Sequence, residues 1–322
     1  MTAFADFGRR LAGAVAVALC GATMAQADLE GVEIIAPAGP GGGYDQLARG
    51  TQAVLESTGL AADVQVINVP GAGGTIGLAQ FVNGAGRGTG LMTTGLGMIG
   101  ALEINKAPVN LVQVQPLARL TGEYQPLVVA AASPIQTLAD LKAMYEADPG
   151  SVSWGGFALG SPDHLVSAMT VKAFGGDIAQ MNYIVAGAGG EMLGQVLGGH
   201  ITVATGGLNE FAGLIASGEL RAIALSAPDR LPGVDIPTFR EQGFDVELVN
   251  WRGLVTRRDL PAEELAALDT AIGNMVASPE WQALVKERGW VDMYQDSAAF
   301  TAFLATETPR VQGILADLAL TN

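Results

Sequence analysis

The 322-residue chain contains one cysteine, Cys20, and two histidines, His164 and His200. A single thiol excludes an internal disulfide framework and a thiolate metal site, and two isolated histidines offer no metal-ligand spacing. No metal is expected. Basic residues are also scarce, with 17 Lys and Arg against 32 Asp and Glu, a formal charge of −15 and a pI near 4.4. That balance excludes nucleic acid as a partner, since it requires clustered Lys and Arg, while still permitting a local cationic spot for a small anion. No Gly-Lys-Ser/Thr follows any glycine-rich turn, so a P-loop is excluded. The pattern G-x-G-x-x-G occurs at Gly95–Gly100 without an acidic residue about 20 positions on. In a chain of 44 glycines it reads as coincidence for a dinucleotide site, although its loop is a candidate cleft wall. No cofactor is expected.

What is present starts with a leader. Arg9 and Arg10 precede a short apolar stretch, Leu11–Leu19, and Ala25-Gln26-Ala27 offers a small-x-small cleavage site. This reads as a secretory signal peptide over residues 1–27, because the apolar stretch falls short of the roughly 20 residues of a bilayer span. Lipidation of Cys20 is the alternative, disfavoured by the bulk of Leu19. Removing Asp6, Arg9 and Arg10 with the leader leaves 295 residues, no cysteine and a charge of −16. Without a later 18-residue apolar run, the remainder reads as soluble and long enough for two domains.

One device recurs three times: a strand-like apolar run, a glycine-rich turn, then an amphipathic helix. It occupies Ile34–Asp45, Val66–Gly77 and Tyr183–Glu191. Such turns leave backbone N–H groups and the positive end of a helix dipole free for carboxylate or phosphate. Strand and helix signals alternate from Val32 to about Ser226, which predicts an α/β fold with mostly parallel sheets flanked by helices. After the strand-like Val249–Thr256, three helices over Pro261–Val276, Pro279–Arg288 and Ala298–Leu318 form a strandless block expected to pack back onto an earlier sheet. The expected organisation is one domain from 28–125 plus 251–322 and a second from 126–250. Ligand would lie between them, outside the strand C-termini.

Within this frame the candidate ligand contacts are Gly41, Gly42, Gly43, Tyr44 and Asp45 in the first turn, and Gly73 and Gly74 in the second. Glycine allows a ligand to approach bare backbone, and Asp45 suits either a helix cap or a ligand hydroxyl. Ser161 and Pro162 predict a helix start, with Ser as the cap and Pro at the first position. His164, on the same turn, stands within reach of an anion. Ser161, Asp163 and His164 also admit a hydrolase or isomerase reading. It is weakened because Ser161 is not in a G-x-S-x-G elbow and neighbours on one helical turn do not face one another in nucleophile–base–acid order. His200 reads as an exposed turn residue. Glu191 and Glu210 read as helix caps, and a carboxylate would repel an anionic ligand. Arg252 falls at the expected second crossing between domains, where a guanidinium can bridge them or hold a carboxylate.

APAGPGGGYD at 36–45, NVPGAGGTIG at 68–77, GSPDH at 160–164, LGGHITVATGG at 197–207 and the 218–255 run through NWRG resemble the substrate-binding proteins of tripartite tricarboxylate transporters. This receptor family includes the Bug proteins of Bordetella, and the resemblance covers essentially the whole chain after the leader. It implies a periplasmic two-domain clamshell of the type II kind, without catalysis. A small carboxylate, citrate-like or a dicarboxylate, would close the hinge and pass to an inner-membrane permease of a large and a small subunit. The matching positions carry over as contacts: Gly41–Asp45, Ser161 with His164, and the loop around Thr205 and Gly206. A monomer suits such a diffusing receptor. An ABC importer or a sensor kinase is the alternative recipient.

Overall fold

A computed structural model describes residues 29–84, 90–186 and 189–320; the leader, Cys20 and part of the third glycine turn lie outside them. The chain opens with β1 (Leu29–Glu30), β2 (Glu33–Ala36), α1 (Gly43–Ser57), β3 (Ala61–Ala62), β4 (Gln65–Asn68), α2 (Thr75–Val82), β5 (Gly90–Gly95) and α3 (Leu96–Ile104). β6 (Val114–Tyr124) then leads across Gln125 into β7 (Pro126–Ala130). There follow α4 (Leu138–Ala147), β8 (Ser153–Gly156), α5 (Pro162–Ala173), β9 (Asn182–Val185), α6 (Gly189–Leu197), β10 (Val203–Thr205), α7 (Leu208–Ala216) and β11 (Leu220–Leu225). The chain returns through β12 (Val249–Arg257) to α8 (Ala262–Ala277), α9 (Pro279–Glu287), β13 (Val291–Gln295) and α10 (Ser297–Asp317).

Besides a two-stranded β1-β3 ladder, the described residues form two larger sheets, with orders β13-β6-β12-β5-β2-β4 and β11-β7-β10-β8-β9. We refer to the units built on them as the first and second lobes. The expectation of mostly parallel sheets needs correction. Parallel pairing is found in the short β1-β3 ladder and in the βα units, β4-β2-β5 and β9-β8-β10, while β6, β12 and β13 pair antiparallel, as do β7 with β10 and β11. The reason is that β6 runs directly on into β7 and β12 comes back beside it, which reverses strand direction at the centre of each sheet. The C-terminal block is not strandless either, since β13 closes the first sheet against β6.

Period-two alternation in β12 determines what the site is made of. Trp251 turns into the core, meeting Phe300 and Phe303 of α10 edge-to-face at 5.7 and 5.4 Å, and its Nε1–H donates to Glu307 at 3.1 Å. The next residue, Arg252, therefore faces the other way. The main apolar cluster spans both lobes, joining Ile35, Phe81 and Met92 to Leu127, Trp154 and Leu165, with α10 contributing Phe300, Val311 and Leu315. Lys172 of α5 also reaches Asp317 of α10 at 3.2 Å. The two crossings are tied together: the Gln125 N–H donates to Ser226 Oγ at 2.9 Å, and that hydroxyl donates to the Leu248 carbonyl at 2.7 Å.

The lobes also touch away from the crossings. Gly100 in α3 lies so close to Gly160 of the second lobe that an added β-carbon would overlap the Gly160 carbonyl oxygen. Gly100→Val is expected to hold the lobes apart, raising the radius of gyration in small-angle scattering while helical circular dichroism is unchanged. A wild-type radius would show that this contact does not set the spacing.

Candidate functional site

The first lobe brings a guanidinium to the start of a helix. Gly43 opens α1 beneath Arg252, and a β-carbon there would lie 2.5 Å from Nη2 of Arg252. Tyr44 packs beside them, its ring edge 3.2 Å from where a β-carbon of Gly95 would stand. Burial pushes the Tyr44 phenol up to about 12, against the opposing pull of Arg252 and the Met98 N–H. Arg252 binds the carboxylate of Glu123, which sits on the adjacent strand β6; the Glu123 side chain is buried and that of Arg252 largely so. Burial alone would loosen the proton on Arg252, but the negative charges of Glu123 and Glu210 hold it more firmly than usual.

The second lobe faces this pair with carboxyls and glycine backbone. The Ser161 hydroxyl accepts the His164 N–H at 3.3 Å, as a cap followed by Pro162 should. Asp163 is buried, its Oδ2 taking the Phe157 N–H at 3.2 Å and the Ser161 hydroxyl at 3.3 Å. Burial, then the neighbouring Glu210 charge, push the Asp163 carboxyl up to about 7. Glu210 caps α7 by accepting the Gly207 N–H at 3.0 Å, and burial and Glu123 raise its carboxyl as well. Gly207 completes the approach across the cleft, since a β-carbon there would stand 3.3 Å from Glu123 Oε1. Gly97 does the same at the rim, where a β-carbon would stand 3.5 Å from Pro162 Cδ.

His164 is buried and its Nδ1 accepts the Gly160 N–H at 3.0 Å, which leaves Nε2 as the protonated nitrogen. Burial lowers its pKa to about 4, so it is neutral at pH 7. Its ring lies 4.5 Å from that of Tyr183, whose hydroxyl donates to the Phe157 carbonyl at 3.2 Å. Ser161 thus donates to Asp163, and Nδ1 of His164 is already engaged by backbone. The three side chains do not form a nucleophile–base–acid chain.

The sequence candidates therefore divide. Gly43, Tyr44 and Arg252 come together on the first lobe, and Ser161, His164, Gly206 and Thr205 belong to the second. Gly206 stands next to Glu210, with a β-carbon there 2.6 Å from Oε2. Thr205 is fully buried and its hydroxyl has no partner among the described residues. Asp45 is drawn away into bracing the first turn: it accepts the Gly41 N–H at 2.8 Å, Arg49 Nε at 3.0 Å and Asn68 Nδ2 at 2.7 Å. Burial opposes its charge, yet these hydrogen bonds hold its carboxyl below the usual range. Gly41 supports the turn at φ +82°, and a β-carbon at Gly42 would crowd the Gly39 carbonyl. Gly73 and Gly74 fit under α3, against Ala101 and Met98. His200 is exposed, as expected.

Sequence reasoning missed Glu123 and the buried Gln125, whose amide N and O both lack partners among the described residues. Neither carries a local signal, because the neighbours that matter are more than 80 residues away, at Gly207, Ser226 and Arg252. A separate groove of about 850 Å³ lies between α3, the following connection and α10, lined by Leu102, Leu111, Val112 and Leu304 with Lys106 and Arg258. It gathers none of the residues above. Among the described residues no group of His, Cys, Asp and Glu fits a metal ion, and no helix is long and apolar enough to cross a membrane.

The family model described as "Tripartite tricarboxylate transporter family receptor" matches residues 47–320. Protein BugT of Bordetella pertussis is 26% identical over 302 residues, covering 89% of this chain and 88% of that one. Rpa4515 of Rhodopseudomonas palustris, solved with adipate, superposes with a TM-score of 0.81 at 20% identity, covering 90% of this chain and 97% of the other. MatC of Rhodopseudomonas palustris, solved with malate, gives a TM-score of 0.76 at 20% identity over 89% and 99% of the two chains. These likenesses establish the two-domain α/β periplasmic binding protein fold.

The raised Asp163 carboxyl makes the stability of the unliganded protein pH-dependent. Between about pH 4 and 7 the unfolded chain releases this proton before the folded one does, so stability falls as pH rises through that window. Asp163→Asn is expected to flatten this slope and to be more stable than wild type at pH 8, by up to about 4 kcal/mol. Urea unfolding at pH 5 and pH 8 measures it, and parallel slopes for both proteins would mean that Asp163 ionises as freely as in water.

Proposed function

Because the chain belongs to the tripartite tricarboxylate transporter receptor family, we propose that it is a periplasmic receptor that captures a small carboxylate between its lobes and delivers it to a two-subunit inner-membrane permease. Residues 28–125 with 251–322 form one closing unit and 126–250 the other, joined at Gln125 and at the return near Asn250. The observation that carries this reading is the largely buried guanidinium of Arg252, laid over the glycine start of α1 and paired with Glu123, which approaches Gly207 of the opposite lobe, where the Arg252 charge also acts on Asp163 and Glu210. A guanidinium beside a helix N-terminus is suited to a carboxylate through charge-assisted hydrogen bonds. Solved relatives carrying malate and adipate support the same ligand class.

The mechanism is a population shift. A carboxylate that touches Arg252 on one lobe and Ser161 or the Gly206–Gly207 backbone on the other makes its full set of contacts only when the lobes are together, so binding favours the closed form. Micromolar affinity corresponds to roughly 8 kcal/mol, within reach of a few such hydrogen bonds in a desolvated cleft. No chemical step on the ligand is required, and the receptor acts as a monomer.

Arg252→Gln is expected to weaken carboxylate binding about 10- to 100-fold, the loss of one charged hydrogen-bond partner, and Ser161→Ala to weaken it less. Isothermal titration of protein refolded free of cargo, against dicarboxylates and tricarboxylates, measures both. Unchanged affinity in Arg252→Gln would remove the guanidinium from the site.

A further inference from the structure

The groove of about 850 Å³ beside α10 lies outside the cleft, and its size falls within the roughly 300–1,000 Å³ of small-molecule sites. One wall is a single stripe of α10: Thr301, Leu304, Ala305, Thr308, Pro309 and Gln312, spaced so that they share a helix face. From Thr301 to Gln312 the stripe runs about 16 Å. Leu102 of α3 forms the facing wall with Leu111 and Val112 of the connection into β6. Val112 is 68% exposed, more than any other large apolar side chain among the described residues. Its lip of the groove is left uncovered by the fold, and apolar surface of this kind gains when a ligand removes it from water.

The mouth of this groove is cationic in a strongly acidic chain. Arg258 stands toward the N-terminal end of the stripe: its neighbour Arg257 pairs with Val114, and Gln115 reaches Ser297 at the start of α10. One Arg258 N–H donates to the Val112 carbonyl, which holds the guanidinium at the groove while its other donors remain available. Lys106 lies toward the opposite end, where the carboxylate of Glu103 accepts the Gln312 amide. Neither cation forms an ion pair among the described residues, although 32 Asp and Glu face 17 Lys and Arg in the chain. An apolar trough with a guanidinium at one end matches a molecule that has an apolar body and one anionic head. A bilayer fits less well, because an anionic leaflet repels a protein with a formal charge of −15 and the apolar surface is a recess.

We propose that this groove is a second ligand site, apart from the cleft, for an amphiphilic carboxylate whose alkyl body lies along the α10 stripe and whose head takes the available donors of Arg258. The planar fork of a guanidinium matches such a head with two parallel hydrogen bonds. The chain is held by Leu102, Leu111 and Leu304, and Lys106 adds positive potential from the far end. None of these residues belongs to the cleft, so the site stands whatever cargo the cleft takes.

Isothermal titration of octanoate into the refolded, cargo-free protein tests this, with octanol and octyltrimethylammonium as neutral and cationic probes of the same chain length. Octanoate is expected to bind at least about 10-fold more tightly than either probe, the worth of a charged hydrogen-bond pair. Arg258→Gln is expected to erase that preference. Ala305 is exposed on the stripe, so Ala305→Trp fills the groove without entering the core and is expected to abolish binding. Arg252→Gln, in the cleft, is expected to leave octanoate affinity unchanged. Absence of octanoate binding to the wild-type protein would overturn the proposal, as would undiminished binding in Ala305→Trp or loss of binding in Arg252→Gln. Octanol binding as tightly as octanoate would overturn the role of Arg258. Cosedimentation with phosphatidylglycerol vesicles that is lost in Ala305→Trp would also overturn the proposal, by marking the groove as a membrane contact.

Discussion

The ion pair between Arg252 and Glu123 is the constraint around which this molecule is arranged. Burying a guanidinium and a carboxylate is expensive unless the two meet and their remaining hydrogen-bonding capacity is used. Here they meet because β6 and β12 lie side by side where the chain crosses between lobes. The clearance around them comes from missing side chains: Gly43 beneath the guanidinium, Gly95 against Tyr44, and Gly207 against the Glu123 carboxylate. The glycines are thus less a flexible loop than a mould around a charged object.

That pair is also what the rest of the architecture serves. Trp251, locked against α10, fixes the strand so that its neighbour can point only into the cleft. The crossings are joined through the Ser226 hydroxyl, which couples the outgoing chain at Gln125 to the returning chain at Leu248. An apolar cluster runs through both lobes and α10 touches each, so the lobes are held together away from the crossings as well.

Much of this was readable from residue order. The glycine turns, the Ser161 cap with Pro162 behind it, and Arg252 at the second crossing are local patterns, and local patterns survive folding. The central strand arrangement was not readable, because a strand's partner depends on tertiary pairing: β5 hides in a glycine-rich segment, and β13 is five residues between two helices. The position of Asp45 in a glycine turn admits either a cap or a contact to a ligand hydroxyl; it accepts the Gly41 N–H, and Arg49 and Asn68, one turn and one strand away, engage it in holding the turn together. Glu123 and Gln125 lie in an unremarkable stretch, TGEYQP, and acquire their significance only when residues from 207, 226 and 252 converge on them.

The fixed register of β12 bears on how such a receptor diversifies. A one-residue slip in this strand would exchange Trp251 and Arg252 between core and cleft, destroying both, so insertions and deletions there are closed to selection. The charged groups sit on strands and on the first turns of α5 and α7, where the backbone is equally committed. Changes in the charge of the cleft must therefore arise by substitution in place, one side chain at a time at positions such as 163, 210 and 252. A lineage of these receptors would explore its ligands by small steps on an unchanging frame.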